Sequence, residues 1–138
     1  MPSTPRPGIP VRGSTTGRPL MAAMDLFGRR WALRILWELR HGPLGARALQ
    51  ARCDRMSSSV LYRRLVELQA AGLLERDDAD AYHLTRIGAA LSDAMAPLDN
   101  WARRWAAINT RHRTSAARRT SASGPTRHPP PTSDNAGQ

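Results

Sequence analysis

Apolar residues between Leu20 and Ile108 fall into helical stripes separated by glycine, proline and polar punctuation. Leu20, Met24 and Phe27 share one helix face and run into Gly28. Ala32, Ile35, Leu36 and Leu39 follow the i, i+3, i+4, i+7 recurrence of an amphipathic helix. His41-Gly42-Pro43 ends that helix, because glycine accepts a left-handed cap and proline cannot continue the ladder. Ala46–Arg52 predicts a short third helix, with Ala48, Leu49 and Cys53 on its apolar side. Asp54-Arg55-Met56 is a brief connector.

Ser57 is placed to cap a fourth helix, its hydroxyl accepting from a first-turn amide that has no helical partner. At about 100° per residue, Val60, Leu61, Leu65, Leu68 and Ala71 cluster on one face. Ser59, Tyr62, Arg63, Val66 and Ala70 lie on the other, and Gly72 ends the helix. Leu73-Leu74-Glu75-Arg76 and Ala81-Tyr82-His83-Leu84 then flank the polar turn Asp77-Asp78-Ala79-Asp80, which predicts a hairpin. Thr85 opens a last helix striped by Leu91, Met95, Leu98, Trp101, Trp105 and Ile108, with Pro97 expected to kink or locally break it. The fold class that follows is mainly α with a small β-hairpin, the layout of a helix-turn-helix with a wing.

That layout has a direct physical use. A helix fits the major groove of duplex DNA, and residues on its first turns reach base edges. Here those residues are Ser58, Ser59, Tyr62 and Arg63. Hydroxyls meet donors or acceptors, and arginine reads guanine bidentately. The alternative for the same face is an ordinary solvated polar surface.

Composition changes this picture less than the charge total suggests. The formal charge is +10, and all 21 basic residues are arginine. Residues 1–19 carry +3 through Arg6, Arg12 and Arg18. Residues 108–138 carry +4, from Arg111, Arg113, Arg118, Arg119 and Arg127 against Asp134, which leaves +3 for residues 20–107. Both ends are rich in Pro, Gly, Ser, Thr or Arg and poor in apolar residues, so disorder is expected over 1–19 and 108–138 around one domain at 20–107.

The single cysteine, Cys53, allows no intramolecular disulfide and reads as a small buried hydrophobe. No two histidines have metal-ligand spacing, and no metal or cofactor is expected. Paired carboxylates, a phosphate loop and an activated nucleophile are all missing from the pattern, so no enzymatic activity is expected either. No apolar run approaches a membrane span and no signal peptide is read, which predicts a cytoplasmic, nucleoid-associated protein.

Across residues 20–107 the chain resembles the HxlR-type winged-helix regulators of the MarR-like superfamily. The resemblance rests on Gly28-Arg29-Arg30-Trp31 with Ile35-Leu36 and Leu39, and on Ser57, Leu61, Arg64-Leu65 and Leu68. It continues through Gly72-Leu73, Arg76, Tyr82-His83-Leu84-Thr85 with Gly88, and Leu98 with Trp101. It implies a bacterial, homodimeric transcription factor bound to double-stranded DNA; an unidentified small-molecule effector is a further candidate partner, whose identity the sequence does not reveal. The first and last helices would form the dimer seam, through Leu20, Met24, Phe27, Leu98, Trp101 and Trp105.

Three departures qualify what is inherited. The cysteine that family members commonly carry ahead of the Gly-Lys-Trp segment has no counterpart in Gly17–Leu20, so thiol sensing does not follow. Gly45-Ala46 stands where an Arg-Phe pair usually opens the helix before the reader. Asp77, Asp78 and Asp80 make the wing acidic, which disfavours contact with phosphate.

Among individual residues, Arg63 is expected to contact DNA, while Arg64 sits beside Val60 and Leu61 on the wheel and is expected to pair with a carboxylate. Arg55 and Arg76 are candidate backbone contacts at the two ends of the reader. Their alternative is plain surface charge worth under about 1 kcal/mol. The function expected is a transcriptional regulator reading a pseudo-palindromic operator through residues 57–71. The other readings are a sequence-indifferent nucleic-acid binder driven by arginine-rich tails and a winged-helix protein-interaction module.

Overall fold

The computed structural model describes residues 3–124. Residues 1, 2 and 125–138, which include much of the expected basic tail, lie outside the described residues. The chain divides into two compact units, one reaching Ala96 and one beginning at Pro97. In order, the elements are α1 (Pro19–Phe27), α2 (Ala32–Glu38) with a 3-10 turn at Leu39–His41, and β1 (Leu44–Gly45). These are followed by α3 (Ala46–Arg52), α4 (Ser58–Ala70), β2 (Leu74–Arg76), β3 (Ala81–Leu84) and α5 (Arg86–Ala122).

The apolar stripes build the first unit. Ile35, Leu36 and Leu39 from α2 and its turn, Leu49 from α3 and Cys53 just after it, and Leu61, Leu65 and Leu68 from α4 are buried together. Leu73, Leu74 and Tyr82 close that core from the sheet side. Each fully buried leucine or isoleucine contributes about 1.5–3 kcal/mol relative to exposure, so the interlock of α2, α3 and α4 dominates the stability of the unit. Helix α1 uses a different face from its striped one. Ala22 and Leu26 turn inward, while Leu20 and Met24 are exposed.

The sheet has the order β1-β3-β2, all antiparallel. Leu74 pairs with Leu84 and Arg76 with Tyr82, which fixes the hairpin register. The two-residue strand β1 adds Leu44 opposite Tyr82 on the other side.

Helix α4 has the expected ends. Ser57 Oγ accepts from the Val60 amide at 3.4 Å. At the other end Gly72 adopts φ +76°, which lets the Leu73 amide donate to the Leu68 carbonyl at 3.0 Å. Thr85 ties this corner to α5, because its hydroxyl donates to the Gly72 carbonyl at 2.6 Å and its amide to the Leu73 carbonyl at 3.0 Å. Gly88 is buried directly against the Leu73 carbonyl, and a Cβ there would overlap that oxygen.

Two segments depart from the sequence expectation. Residues 3–18, expected to be disordered, follow a folded course along the first unit. The Gly8 amide donates to the Gly17 carbonyl at 2.9 Å, and Val11 and Ser14 exchange a bridge. The Arg12 amide donates to Asp25 Oδ2 at 3.3 Å, Arg29 Nη2 donates to the Ser3 carbonyl at 3.1 Å, and Pro5 is buried. Gly17, at φ +65°, lies so close to the Ile9 backbone that no side chain would fit. The arm is ordered by polar anchors on α1 and Arg29, which its own apolar content does not reveal.

Helix α5 is the second departure. It runs unbroken through Pro97 and past residue 107 to Ala122. Proline removes one hydrogen bond from a ladder long enough to continue, and the alanines and arginines beyond Asn109 are strong helix formers. Within the second unit Trp101 and Trp105 stack with ring centroids 5.6 Å apart. Asp99 and Arg103 pair at 2.9 Å, and Leu98, Trp101, Trp105 and Ile108 are all about half exposed. No helix among the described residues is long and apolar enough to cross a membrane.

Candidate nucleic-acid interface

The turn between α3 and α4 sets the direction of α4, the candidate reader helix. Asp54 and Arg55 both take left-handed conformations, φ +52° and +55°, an uncommon pair for non-glycine residues. The Arg55 amide donates to the Gln50 carbonyl at 2.9 Å, and the Met56 amide to Cys53 at 3.0 Å. Gln50 then reaches across the turn, with Nε2 donating to the Met56 carbonyl at 2.7 Å and to Ser58 Oγ at 3.2 Å. From the other side, Arg34 donates to the Arg52 carbonyl at 2.8 Å and pairs with Glu38 at 2.8 Å. The angle between the two helices is therefore held by side chains as well as by the buried Leu49 and Leu61.

On α4 itself Ser58, Ser59, Tyr62 and Arg63 are all exposed. Val66, 64% exposed, extends the same face by a turn and offers an apolar contact suited to a thymine methyl. Ser58 accepts from Gln50 but keeps its own O–H to donate. No carboxylate pairs with Arg63 among the described residues.

Arg64, one position on, is held differently. Its Nε donates to the Arg30 carbonyl at 2.7 Å, and Nη1 meets both Glu67 oxygens at 3.2 and 3.0 Å. Glu67 also pairs with Arg29 at 2.9 Å. This cluster ties α4 to the segment before α2 and accounts for Arg64 as a carboxylate partner, as its wheel position predicts.

The flanking candidates differ from each other. Arg55 is exposed at the head of the turn. Arg76 lies on the hairpin, pairs with Asp80 at 2.6 Å and sits 6.0 Å from the Tyr82 ring. Asp77 is committed to the hairpin, where its Oδ1 accepts from the Ala79 and Ala81 amides at 2.9 Å each. Asp78 is exposed at the tip, so the wing presents net negative charge.

Cys53 is fully buried behind the reader helix. Burial pushes its thiol pKa up from 9.0, an effect that Arg34 opposes and Glu38 and Asp54 reinforce. It stays protonated and packs as an apolar group. The residues missed by the sequence reading are Gln50, Arg34 and Glu67, all positioning groups. Their polarity was visible, but their long-range partners had no sequence signal.

A helix-turn-helix braced in this way, with a hydroxyl-rich and cationic reader face beside a β-hairpin, defines a winged-helix DNA-binding protein. Residues 26–110 match the HxlR-like helix-turn-helix family, and the chain belongs to that family. It is 30% identical over 89 residues to YvaP, an uncharacterized HTH-type transcriptional regulator of Bacillus subtilis (strain 168), covering 60% of this chain and 82% of YvaP. Quinone-bound YodB of B. subtilis has a similar structure, with TM-score 0.58 and 29% identity over 62% of this chain and 94% of that one. The reduced form of the transcriptional regulator YodB gives TM-score 0.54 and 30% identity over 61% and 89% of the two chains. The protein is a DNA-binding transcriptional regulator of the HxlR family.

Proposed function

We propose that the protein is a homodimer that reads a pseudo-palindromic operator by inserting α4 of each protomer into the major groove. Ser58, Ser59, Tyr62 and Arg63 meet base edges, with Arg63 suited to guanine. Arg55 meets the backbone at the head of the reader. Arg76 does so at the wing only when its pair with Asp80 opens. The observation that carries this reading is the exposed face of α4, polar and cationic, on a helix whose opposite face is buried.

The dimer seam is assigned to Leu20 and Met24 of α1, with Phe27 beside them, and to Leu98, Trp101 and Trp105 of α5. Leu20, Met24, Leu98, Trp101 and Trp105 are exposed at helical spacing and favour a covering partner, which a second copy with the same stripes provides. Phe27 instead packs partly against the protomer's own core. The two readers of such a dimer fall about 34 Å apart, one helical turn of DNA. The domain is taken as residues 20–107 and its place of action as the cytoplasm. YodB is a neighbour with a quinone-bound form. A small-molecule effector is a fitting further partner here, although buried, protonated Cys53 offers no accessible thiol for it.

In vitro selection from a random duplex pool is the test. A regulator enriches an inverted repeat with half-sites about ten base pairs apart, and failure to enrich any site rejects the reading. One observation favours a sequence-indifferent binder instead. Between Asn109 and Gly124 the chain carries Arg111, Arg113, Arg118 and Arg119 and no acid. Truncation after Ile108 separates the two readings, because a regulator retains its site preference and a tail-driven binder loses nearly all binding.

A further inference from the structure

The folded N-terminal arm brings an unexpected residue to the reader helix. Arg12, Gly28, Arg29, Arg63, Arg64 and Glu67 line one open cleft of about 320 Å³. Four arginines face a single carboxylate there, so the cleft is strongly cationic. The arginines are not equivalent. Glu67 is already engaged by Arg29 at 2.9 Å and by Arg64 at 3.0 Å. Arg12 and Arg63 are therefore the cations left to act on a ligand.

Asp25 does not neutralise Arg12 in a close pair. Its Oδ2 accepts from the Arg12 backbone amide at 3.3 Å, while the Arg12 guanidinium lies 3.9 Å from Oδ1 and its side chain is 94% exposed. Asp25 thus anchors the loop by its main chain and leaves the guanidinium outward. The bridge between Val11 and Ser14 and the tight approach of Gly17 to Ile9 hold the loop in that place. Arg12 lies outside residues 26–110, the part of the chain that matches the family.

We propose that this cleft takes a backbone phosphate of duplex DNA beside the bases read by α4, with Arg12 of the arm as its sequence-independent contact. The argument rests on the reading of α4 as the DNA-contacting helix and on charge complementarity. A cleft with surplus guanidinium charge on the reader helix meets a polymer that carries one negative charge per about 1.7 Å of axis. Arginine suits the role because its planar fork matches two phosphate oxygens at once. Arg12 supplies affinity and register, and the neighbouring face of α4 supplies preference.

The test compares wild type, Arg12→Gln and Arg12→Lys as full chains. Each is titrated against the selected operator and an unrelated duplex of equal length, across roughly 50–200 mM salt. Arg12→Gln should flatten the slope of log K against log salt by about 0.9, one phosphate contact, on both duplexes. Affinity should fall by the same factor on each, with site preference unchanged, and Arg12→Lys should keep the wild-type slope. An unchanged slope in Arg12→Gln overturns the proposal. So does an equal loss in Arg12→Lys, which marks a role in folding the arm rather than a charge contact. If wild type binds both duplexes alike while Arg12→Gln still flattens the slope, the operator reading fails and the phosphate site stands.

Discussion

The reader helix and the wing occupy neighbouring places in one small unit yet present opposite chemistry. Helix α4 exposes hydroxyls, a tyrosine and Arg63, while its carboxylate, Glu67, is held by Arg64 and Arg29. The hairpin exposes Asp78 and closes its one arginine against Asp80. Positive charge is thus available on the helix and occupied on the hairpin. The difference teaches that arginine count alone says little about where DNA is gripped. What matters is which guanidinium groups already have a carboxylate, and Arg63 and Arg64 show that adjacent residues can differ completely.

The comparison can be broken most violently by removing the support of the helix. Leu65→Ala empties a fully buried position on α4 and should cost about 2–5 kcal/mol of stability, read as a fall in the urea midpoint. DNA binding should fail with it above the new midpoint. A milder change isolates the face itself. Arg63→Ala should weaken operator binding by about 1–3 kcal/mol and relax preference at one base pair, measured by footprinting and repeat selection. Wild-type affinity with unchanged preference would remove Arg63 from the reader.

The wing should respond in the other direction. Asp78→Arg converts its exposed acid to a cation and should steepen the salt slope by up to about 0.9 if the tip lies near phosphate. An unchanged slope would show that the wing stands clear of the duplex. Arg76→Ala should cost less than about 1 kcal/mol in DNA affinity, because its partner is already Asp80. A larger loss would place Arg76 with Arg63 instead.

The smallest effect concerns the thiol behind the helix. The folded-state pKa of Cys53 is raised by burial, so the stability it confers is complete below its ordinary value, 9.0, and is lost as pH rises through the folded one. The urea midpoint of wild type should therefore fall above that pH, and that of Cys53→Ala should fall less. Parallel pH profiles for the two proteins would contradict the burial argument.

Much of the reader was legible in the sequence because its signals are local. Ser57 caps its own first turn, Gly72 supplies a positive φ, and the period of Leu61, Leu65 and Leu68 decides which face is buried. The β2–β3 hairpin was legible for the same reason, its strands being separated by a short polar turn. Strand β1 was not, since two residues carry no period and gain meaning only opposite Tyr82 and Ala81. The course of the arm left no signal in the sequence, because Asp25 and Arg29, which anchor it, lie 13 and 26 residues from their partners Arg12 and Ser3. Helix α5 outruns its apolar stripe because alanine and arginine sustain a helix that the stripe does not require. On α4, the exposure of Ser59, Tyr62 and Arg63 was readable from the wheel, and Ser58 was picked out by its place in the first turn. Gln50, which sets the helix on its axis, acts through space on Ser58 and Met56 and left no pattern.

The corner built by Gly72, Thr85 and Gly88 has a mechanical consequence. With Thr85 bonded to both Gly72 and Leu73 and Gly88 pressed on the Leu73 carbonyl, the end of α4 and the first turn of α5 have no slack between them. Any displacement of the first turn of α5 would therefore bear directly on the end of α4. The same seam makes Gly88 the place where one added methyl would press against the Leu73 carbonyl and prise the two helices apart, without touching any exposed side chain of α4.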